Sequence, residues 1–311
     1  MHTNATEDRA ALPSARPAHE EERRSISRFL DGASLELSSR DPAEIDACVG
    51  LLEAGTSVYI SSPPGQTYHG TVALAVRLAR AGFRPVPHIA ARRIADQGAL
   101  GDYLARAAGE AGVDSAFVVA GDSDRASGAF ESSLALLETG LFQRYRIGRI
   151  GVAGYPEGHP RIAASALETA LASKKAFARR AGIELNIVTQ FCFEPEPILS
   201  WTARMKGHGL PVRVGLAGPA SLPRLLRFAA LCGVGNSVRA LKARPRAITR
   251  LMVEAGPEVA LRDLSRRAEP PIAGAHFFCF GGLVRTARWL RAVRDGRIEL
   301  TEDGGFRVGA A

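Results

Sequence analysis

Apolar and polar positions alternate in blocks along most of the chain. Short apolar or β-branched runs, typical of strands, are each followed by a longer stretch with apolar residues at helical spacing. The run SAFVVA at residues 115–120 is apolar almost throughout, as expected for a parallel strand covered on both faces. The predicted strands are residues 34–38, 57–61, 85–90, 115–120, 149–153, 185–190, 212–216 and 274–280.

A helical pattern follows every one of these strands. The predicted helices are residues 42–55, with Asp41 as N-cap, then 70–81, 98–112, 130–138, 160–181, 198–206, two segments within 220–256, and 283–295. Eight β-then-α units in a row predict an α/β protein of the closed (β/α)₈, or TIM, barrel type, with extra N-terminal and late helices. The alternative is an open doubly wound sheet, which usually has a Gly-rich phosphate turn after its first strand. Here that strand runs into Ser-Ser-Arg-Asp-Pro, which favours the barrel.

The two ends of the chain depart from this pattern. Residues 1–25 are polar, contain an EEERR run and lack the apolar core of a signal peptide, so we expect a flexible tail. A single catalytic barrel is expected over residues 26–300 and a C-terminal tail over 301–311. No run of about 18 apolar residues is present, so no membrane-spanning helix is expected. The four cysteines lack CxxC spacing, which favours free thiols in the cytoplasm and no metal site.

The net charge of +8 is concentrated in the last part of the chain. Residues 220–311 hold 16 basic and 8 acidic side chains, out of 40 and 32 overall, so residues 1–219 balance at 24 and 24. Such an excess fits nucleic acid, an anionic membrane surface or anionic small molecules. The arginines are spread at helical intervals without interleaved aromatic residues, so we expect neither a nucleic-acid nor a membrane partner.

Polar side chains at the strand ends are the candidates for chemistry, because a barrel carries its reacting groups there. Glu36 alternates with Leu35 and Leu37, and the helices cover the outer face, so we expect its carboxyl to face the interior. An enclosed carboxyl has a raised pKa and can act as an acid. His159 precedes the predicted helix 160–181, where it fits a helix cap or a phosphate contact. The other candidates are Ser61, His88, Gly121, Asp122, Tyr155, Gln190 and His276.

Several of these residues have a purely structural interpretation as well. Asp122 fits a turn, His88 and His276 fit hydrogen-bonded core residues, and Lys174 and Lys175 fit solvated charges on a helix. The chain has no GxSxG, Walker A or HExxH motif, so the residues alone do not define a reaction.

Two longer motifs point to a known family. Tyr155-Pro-Glu-Gly-His-Pro160 is similar to a YPExHP motif, and Val188-Thr-Gln-Phe-Cys-Phe193 is similar to TQFFF. Shorter pieces occur at other strand ends in the same order, namely Pro87-His88, Ala120-Gly121-Asp122 and Ala275-His-Phe-Phe278. Over residues 34–291 the chain therefore resembles the methylenetetrahydrofolate reductase family, in its short bacterial type with the catalytic barrel only.

The resemblance implies an oxidoreductase with FAD as cofactor and NADH or NADPH as electron donor, which reduces 5,10-methylenetetrahydrofolate to 5-methyltetrahydrofolate by hydride transfer. Glu36 then corresponds to the acid that protonates the folate, and Asp122 to a catalytic residue that tunes the flavin. Gln190 and Phe193 correspond to substrate-binding positions. The implied FAD-binding positions are Ser61, His88, Gly121, Asp122, Tyr155, His159, Glu168, Lys174 and Lys175.

The chain also departs from the family pattern. Ala120 stands where the family has an arginine, the first strand ends in Ser-Ser instead of Phe-Phe-Pro-Pro, and Gly281 and Gly282 replace a polar ending of the last strand. Two alternatives therefore stay open. One is an enzyme that oxidises methyltetrahydrofolate in a demethylation pathway, and the other is a barrel that binds folate or nucleic acid without redox turnover. Self-association into a homo-oligomer is also left open.

Overall fold

The strands close into a barrel. In this computed structural model, which describes residues 15–37, 42–63, 65–231 and 256–309, eight parallel strands are hydrogen-bonded in chain order. The last strand pairs with the first, with Ser34 opposite His276. The strands are β1 (Ser34–Leu37), β2 (Ser57–Ile60), β3 (Arg84–Ala90), β4 (Ser115–Val119), β5 (Arg149–Gly154), β6 (Glu184–Phe191), β7 (Val212–Ala217) and β8 (Ile272–Phe278). The predicted (β/α)₈ barrel is confirmed.

Helices surround the barrel. They are α1 (Ala15–Phe29), α2 (Ala43–Asp46), α3 (Tyr68–Arg80), α4 (Gln97–Ala111), α5 (Ser133–Leu137), α6 (Leu141–Arg144), α7 (Ala164–Ala181), α8 (Pro195–Met205), α9 (Leu222–Leu231), α10 (Glu258–Arg267) and α11 (Leu283–Arg294). Local capping sets several of their starts. The side chains of Thr67 and Asp96 accept the backbone N–H of Gly70 and Ala99 at the starts of α3 and α4. None of these helices has the length and apolar content needed to cross a membrane.

Alternation along the strands sorts side chains into two cores. Outward residues such as Leu35 and Ile60 are fully buried beneath the helices. Inward residues form a separate cluster inside the barrel, made up of Tyr59, Val86, Phe117 and Val188 with neighbours. Every second strand position is therefore available to line the interior, and that is where the polar candidates lie.

The N-terminal segment is structured from residue 15 onward. Helix α1 packs on α10, and its Ile26 and Leu30 have no exposed surface. The carboxylate of Glu22 accepts two hydrogen bonds from Arg262, at 2.8 and 2.9 Å. Residues 15–25, for which the polar composition predicts a flexible tail, thus belong to the folded domain. Their polar composition hid this, because α1 is held partly by ion pairing.

The other end of the chain also contributes to the fold. Strands β9 (Ile298–Leu300) and β10 (Phe306–Val308) form an antiparallel pair. The ring of Phe306 is buried and stacks 6.2 Å from Trp289 of α11. The tail expected over residues 301–311 is therefore a hairpin through residue 308.

Two predicted helices differ from the structure. The helix expected over residues 42–55 is reduced to α2, which ends at Asp46. Beyond it the chain turns, with a φ of +79° at Gly50 and a bridge between Val49 and Leu52. The helix expected from Pro160 begins four residues later, at Ala164. Asp41, expected as an N-cap, and residues 232–255 of the two late helical segments lie outside the described residues.

Candidate active site

Glu36 faces the barrel interior, which is the orientation expected from the strand pattern. Its neighbours Leu35 and Leu37 are 0% and 1% exposed under the helices. In the ladder, Glu36 pairs with Tyr59 of β2 on one side and Phe278 of β8 on the other. The Glu36 side chain retains 13% exposure, so the carboxyl is enclosed yet within reach of a ligand in the barrel.

Two histidines flank this carboxyl. Nε2 of His88, on β3, lies 3.5 Å from Oε2 of Glu36, and Nε2 of His276, on β8, lies 3.7 Å from the same oxygen. These separations exceed an ordinary hydrogen bond, and the buried Nε2 of His88 has no hydrogen-bond partner among the described residues. The other ring nitrogen of His276, Nδ1, lies 2.9 Å from Oγ of Ser34. The barrel thus brings three titratable side chains from three strands together.

Burial shifts the pKa values of Glu36, His88 and His276. It raises the pKa of Glu36, and the neighbouring His88 opposes this only in part. Burial lowers the pKa of His88, and it lowers the pKa of His276 to about 3, with a further contribution from the charge of Arg213. Both histidines are therefore neutral at neutral pH. Glu36 has no cationic partner among the described residues, so it holds its proton more tightly than an exposed carboxyl and is suited to general acid work.

An aromatic wall packs against the titratable group. The ring of Tyr59 lies 4.6 Å from that of His276 and 5.9 Å from that of His88, and Phe117 packs 4.7 Å from His88. Burial raises the pKa of Tyr59 to about 12, so its hydroxyl stays protonated. Gly151 leaves room beside this wall, since a Cβ there would come within 2.9 Å of the Phe117 ring.

Strand β6 presents unpaired amide groups. Within the part of the chain that the structure describes, neither buried amide atom of Gln190 has a hydrogen-bond partner, and neither has Oδ1 of Asn186. Strand β6 lies across the closed barrel from β2, and Asn186 pairs with Gly151, which lies beside the Phe117 ring. A register shift between Val188 and Phe191 interrupts the strand alternation at Gln190. An unpaired buried amide costs about 1–3 kcal/mol, so these groups are candidates for binding a ligand or an ordered water molecule.

Phe193 lies just beyond β6 in a second aromatic group. Its ring packs edge-on at 5.6 Å against Phe191, which in turn contacts Phe278 and Phe280. Phe228 of α9 stacks on Phe280 at 4.3 Å. These rings form an apolar surface beside Gln190, next to the carboxyl ends of β6 to β8.

The loops after β2, β3 and β4 are joined by Arg93. Its guanidinium donates to the backbone carbonyl of Ser62 and, at 2.6 Å, to the Asp122 carboxylate, whose side chain is 68% exposed. Ser61 donates its hydroxyl to the Leu37 carbonyl at 3.0 Å, which ties the ends of β1 and β2. Gly121, before Asp122, has a φ of +98° that other residues rarely adopt. Asp122 is therefore an ion-paired residue of the mouth and lies outside the buried group of Glu36.

A further group of candidates follows β5. The rings of Tyr155 and His159 meet edge-on at 5.3 Å, and burial raises the pKa of Tyr155. Nδ1 of His159 accepts the backbone N–H of Arg161 at 3.2 Å. Burial and the charge of Arg161 lower the pKa of His159, so its ring is neutral at neutral pH. Since α7 starts at Ala164, His159 does not cap that helix.

Helix α7 carries the remaining candidates. Glu168 is exposed, and Lys174 and Lys175 are half-buried. Burial lowers the pKa of Lys174, which is not the behaviour of a solvated surface lysine. Only Leu171 and Ala178 of this helix are buried, so much of its surface faces solvent.

Sequence reasoning did not identify three residues of the site. Tyr59 and Asn186 have the same inward phase as Glu36 on strands that were correctly predicted, so alternation carried a usable signal for them. The sequence carries no such signal for Arg93, because its contacts with Ser62 and Asp122 depend on the packing of two separate loops. His276 is among the candidates predicted at the strand ends, with a core histidine as the alternative interpretation, and its contact with Glu36 comes from closure of the barrel.

The fold and the site define a (β/α)₈ barrel with a carboxyl–imidazole group enclosed at its centre. No family model matches the chain. Among solved structures, dihydropteroate synthase from Thermus thermophilus is similar over 85% of this chain and 92% of its own, with 16% identity and a TM-score of 0.41. An endo-β-1,3-glucanase from Amycolatopsis mediterranei is similar over 85% and 99%, with 14% identity and a TM-score of 0.31. Similarity this low carries no activity over to the chain.

Proposed function

We propose that this protein is a flavin-dependent oxidoreductase that reduces 5,10-methylenetetrahydrofolate to 5-methyltetrahydrofolate with NADH or NADPH. One observation carries the proposal, namely the Glu36 carboxyl enclosed in the barrel between two neutral histidines. Opening the folate ring needs a proton donor at an amine nitrogen, and the raised pKa of the buried Glu36 carboxyl favours its protonated, proton-donating form.

The substrate side of the proposal rests on β6. The Gln190 amide offers an NH₂ donor group and a carbonyl acceptor, both buried and without a partner among the described residues, and a pterin ring presents complementary lactam and amine groups. The apolar surface that includes Phe193 lies beside it and suits the flat faces of aromatic rings. Together these groups would bind and orient a folate with its bridge toward Glu36.

The residues that would hold FAD have side chains of the types that contact its rings and its phosphates. Tyr155 and His159 supply ring and imidazole groups after β5, and the half-buried Lys175 supplies a cation for the pyrophosphate. The largely exposed surface of α7 leaves room for an extended ligand. When bound, the flavin supplies hydride chemistry that no side chain of this barrel provides.

The basic residues of the last third support a small-molecule enzyme over a nucleic-acid-binding barrel. Several described arginines of this region are paired with carboxylates, which leaves less charge free for phosphates. The pairs include Arg262 with Glu22, Arg267 with Glu196, Arg294 with Glu53 and Arg297 with Asp295.

The test begins with the purified protein. We expect it to contain FAD, to lose its flavin absorbance with NADH or NADPH, and to regain it on addition of methylenetetrahydrofolate. Oxidation of methyltetrahydrofolate with an artificial electron acceptor, measured on the same sample, tests the reverse physiological direction. A colourless protein that takes up no FAD would refute the proposal.

The Glu36→Gln variant tests the assigned acid. It should keep flavin reduction by the nicotinamide but lose folate-dependent reoxidation by about 100-fold or more, because the amide cannot donate a carboxylic proton. Glu184→Gln, at an exposed glutamate at the start of β6, is the matched control. Equal loss of both half-reactions in Glu36→Gln would contradict the role given to Glu36.

A further inference from the structure

His276 is held at both of its ring nitrogens. The side chain is 1% exposed, Nδ1 lies 2.9 Å from Ser34 Oγ, and Nε2 lies 3.7 Å from Glu36 Oε2. Ser34 has no exposed surface, and it precedes Glu36 on the same inward face of β1. The Ser34–His276 pair therefore lies beneath the carboxyl, on the side away from the mouth of the barrel.

Both histidines approach the same oxygen of Glu36. His88 Nε2 and His276 Nε2 lie 3.5 and 3.7 Å from Oε2, and both contacts end on that atom. Contacts of this length commonly shorten to hydrogen bonds when an active site is filled. Oε2 is therefore the oxygen of the carboxyl that lies nearest to both imidazoles.

We propose that His276, oriented by Ser34, is a positioning residue that together with His88 holds Oε2 of Glu36 and leaves Oε1 to carry the transferable proton. This inference rests on the proposed function. In the reaction the Oε1–H bond breaks and its proton passes to an amine nitrogen of the substrate. The carboxylate that remains is stabilised by the Nε2–H groups at Oε2, and water returns a proton after the product leaves.

The protonation of the surroundings agrees with this assignment. His276 is neutral at neutral pH, since its pKa is lowered to about 3 by burial and by Arg213. If the Ser34 hydroxyl donates to Nδ1, the single imidazole proton lies on Nε2, toward Glu36. Burial also raises the pKa of Tyr59 and Cys279 to about 12, so both stay protonated. Of the groups that pack around the carboxyl, with neutral His88 included, Glu36 is the one left to exchange a proton.

A first experiment needs neither flavin nor folate. Nitrogen-15 NMR of the protein without added ligand should show His276 as a neutral ring with its proton on Nε2. The Ser34→Ala variant should show a mixture of both tautomers, because it removes the hydroxyl that fixes the ring. A proton on Nδ1, or an imidazolium at neutral pH, in the unmodified protein would overturn the inference.

A second experiment measures the effect on Glu36 itself. Infrared difference spectra against pH follow the protonated Glu36 carboxyl, with Glu36→Gln to assign the band. His276→Leu removes a donor to the carboxylate, so the titration should move upward by about one pH unit, which equals a tenfold change in the ionisation constant. His276→Gln keeps an amide donor and should restore most of the shift. The exposed His19→Gln is the control, and a titration unchanged in His276→Leu would overturn the inference.

The pH dependence of kcat/KM distinguishes a failure of the role given to His276 from a failure of the proposed function. The alkaline limb of kcat/KM for folate-dependent reoxidation should move upward in His276→Leu together with the infrared titration. A loss of rate with an unmoved limb would show that His276 is only structural. If the unmodified protein failed to reduce methylenetetrahydrofolate, the proposed function would fall, and the NMR and infrared results would still decide the assignment of Oε2.

Discussion

The pairing of Glu22 with Arg262 predicts that the N-terminal helix stabilises the barrel. Their side chains are only 15% and 12% exposed, and Arg262 also donates to the carbonyls of Thr301 and Gly305 at 2.8 and 2.6 Å. One guanidinium therefore joins α1, α10 and the C-terminal hairpin. The Glu22→Gln variant leaves this buried cation without its carboxylate.

The expected loss follows from the burial of the pair. Removing one partner of a buried ion pair costs about 3–5 kcal/mol, and the residual exposure places this pair near the lower value. A loss of about 3 kcal/mol lowers the melting temperature by roughly 6 °C for a domain of this size. Urea unfolding followed by circular dichroism, together with a thermal melt, measures both quantities.

The dependence on pH gives an independent check. Hydrogen bonding to Arg262 lowers the pKa of Glu22 in the folded protein below its ordinary value of 4.5. The stabilisation is therefore complete above pH 4.5 and is lost as the pH falls through the lower, folded-state pKa. The difference in stability between the unmodified protein and Glu22→Gln should shrink over that acidic range.

A matched control lies on the same helix. Glu20 and Arg24 form an exposed i,i+4 pair, with 65% and 71% of their side chains accessible. Glu20→Gln should change the stability by less than about 0.5 kcal/mol. If Glu22→Gln cost no more than Glu20→Gln, the reasoning that makes α1 part of the folded domain would be refuted.

Three further predictions concern the barrel interior and its mouth. Gln190→Leu should raise the unfolding free energy by about 1 kcal/mol, because it removes an unpaired buried amide, and should raise KM for folate. Gly151→Ala should cost about 1–3 kcal/mol in denaturant unfolding, since its Cβ would lie 2.9 Å from the Phe117 ring. Arg93→Gln should change the stability by less than about 1 kcal/mol but weaken FAD binding in a fluorescence titration, because Asp122 loses its partner.

The hydrophobic pattern predicted the scaffold well, and the reason is local. A parallel barrel strand needs an apolar outer face at every second position, and a covering helix needs an apolar stripe at a spacing of about 3.6 residues. Both patterns are visible in consecutive residues, such as Ser115–Val119 for a strand and Tyr68–Arg80 for a helix. The same alternation predicted that Glu36 faces the interior.

The terminal segments show where local patterns fail. Helix α1 is polar over most of its length, and its place in the fold depends on Arg262, which lies 240 residues away in the chain. The hairpin that contains Phe306 is likewise defined by its packing on Trp289. Neither contact is reflected in the hydrophobic periodicity of the segment that makes it.

The sequence by itself determined the order of strands and helices and the inward phase of Glu36, because these depend on neighbours along the chain. Only the tertiary structure decided that His88 and His276 meet at one oxygen of that carboxyl, and that Ser34 supports one of them. These contacts join β1 to β3 and β8, and the contact with β8 exists because closure of the barrel brings the last strand beside the first. The low dielectric of that closed interior then shifts the pKa values on which the proposed chemistry depends.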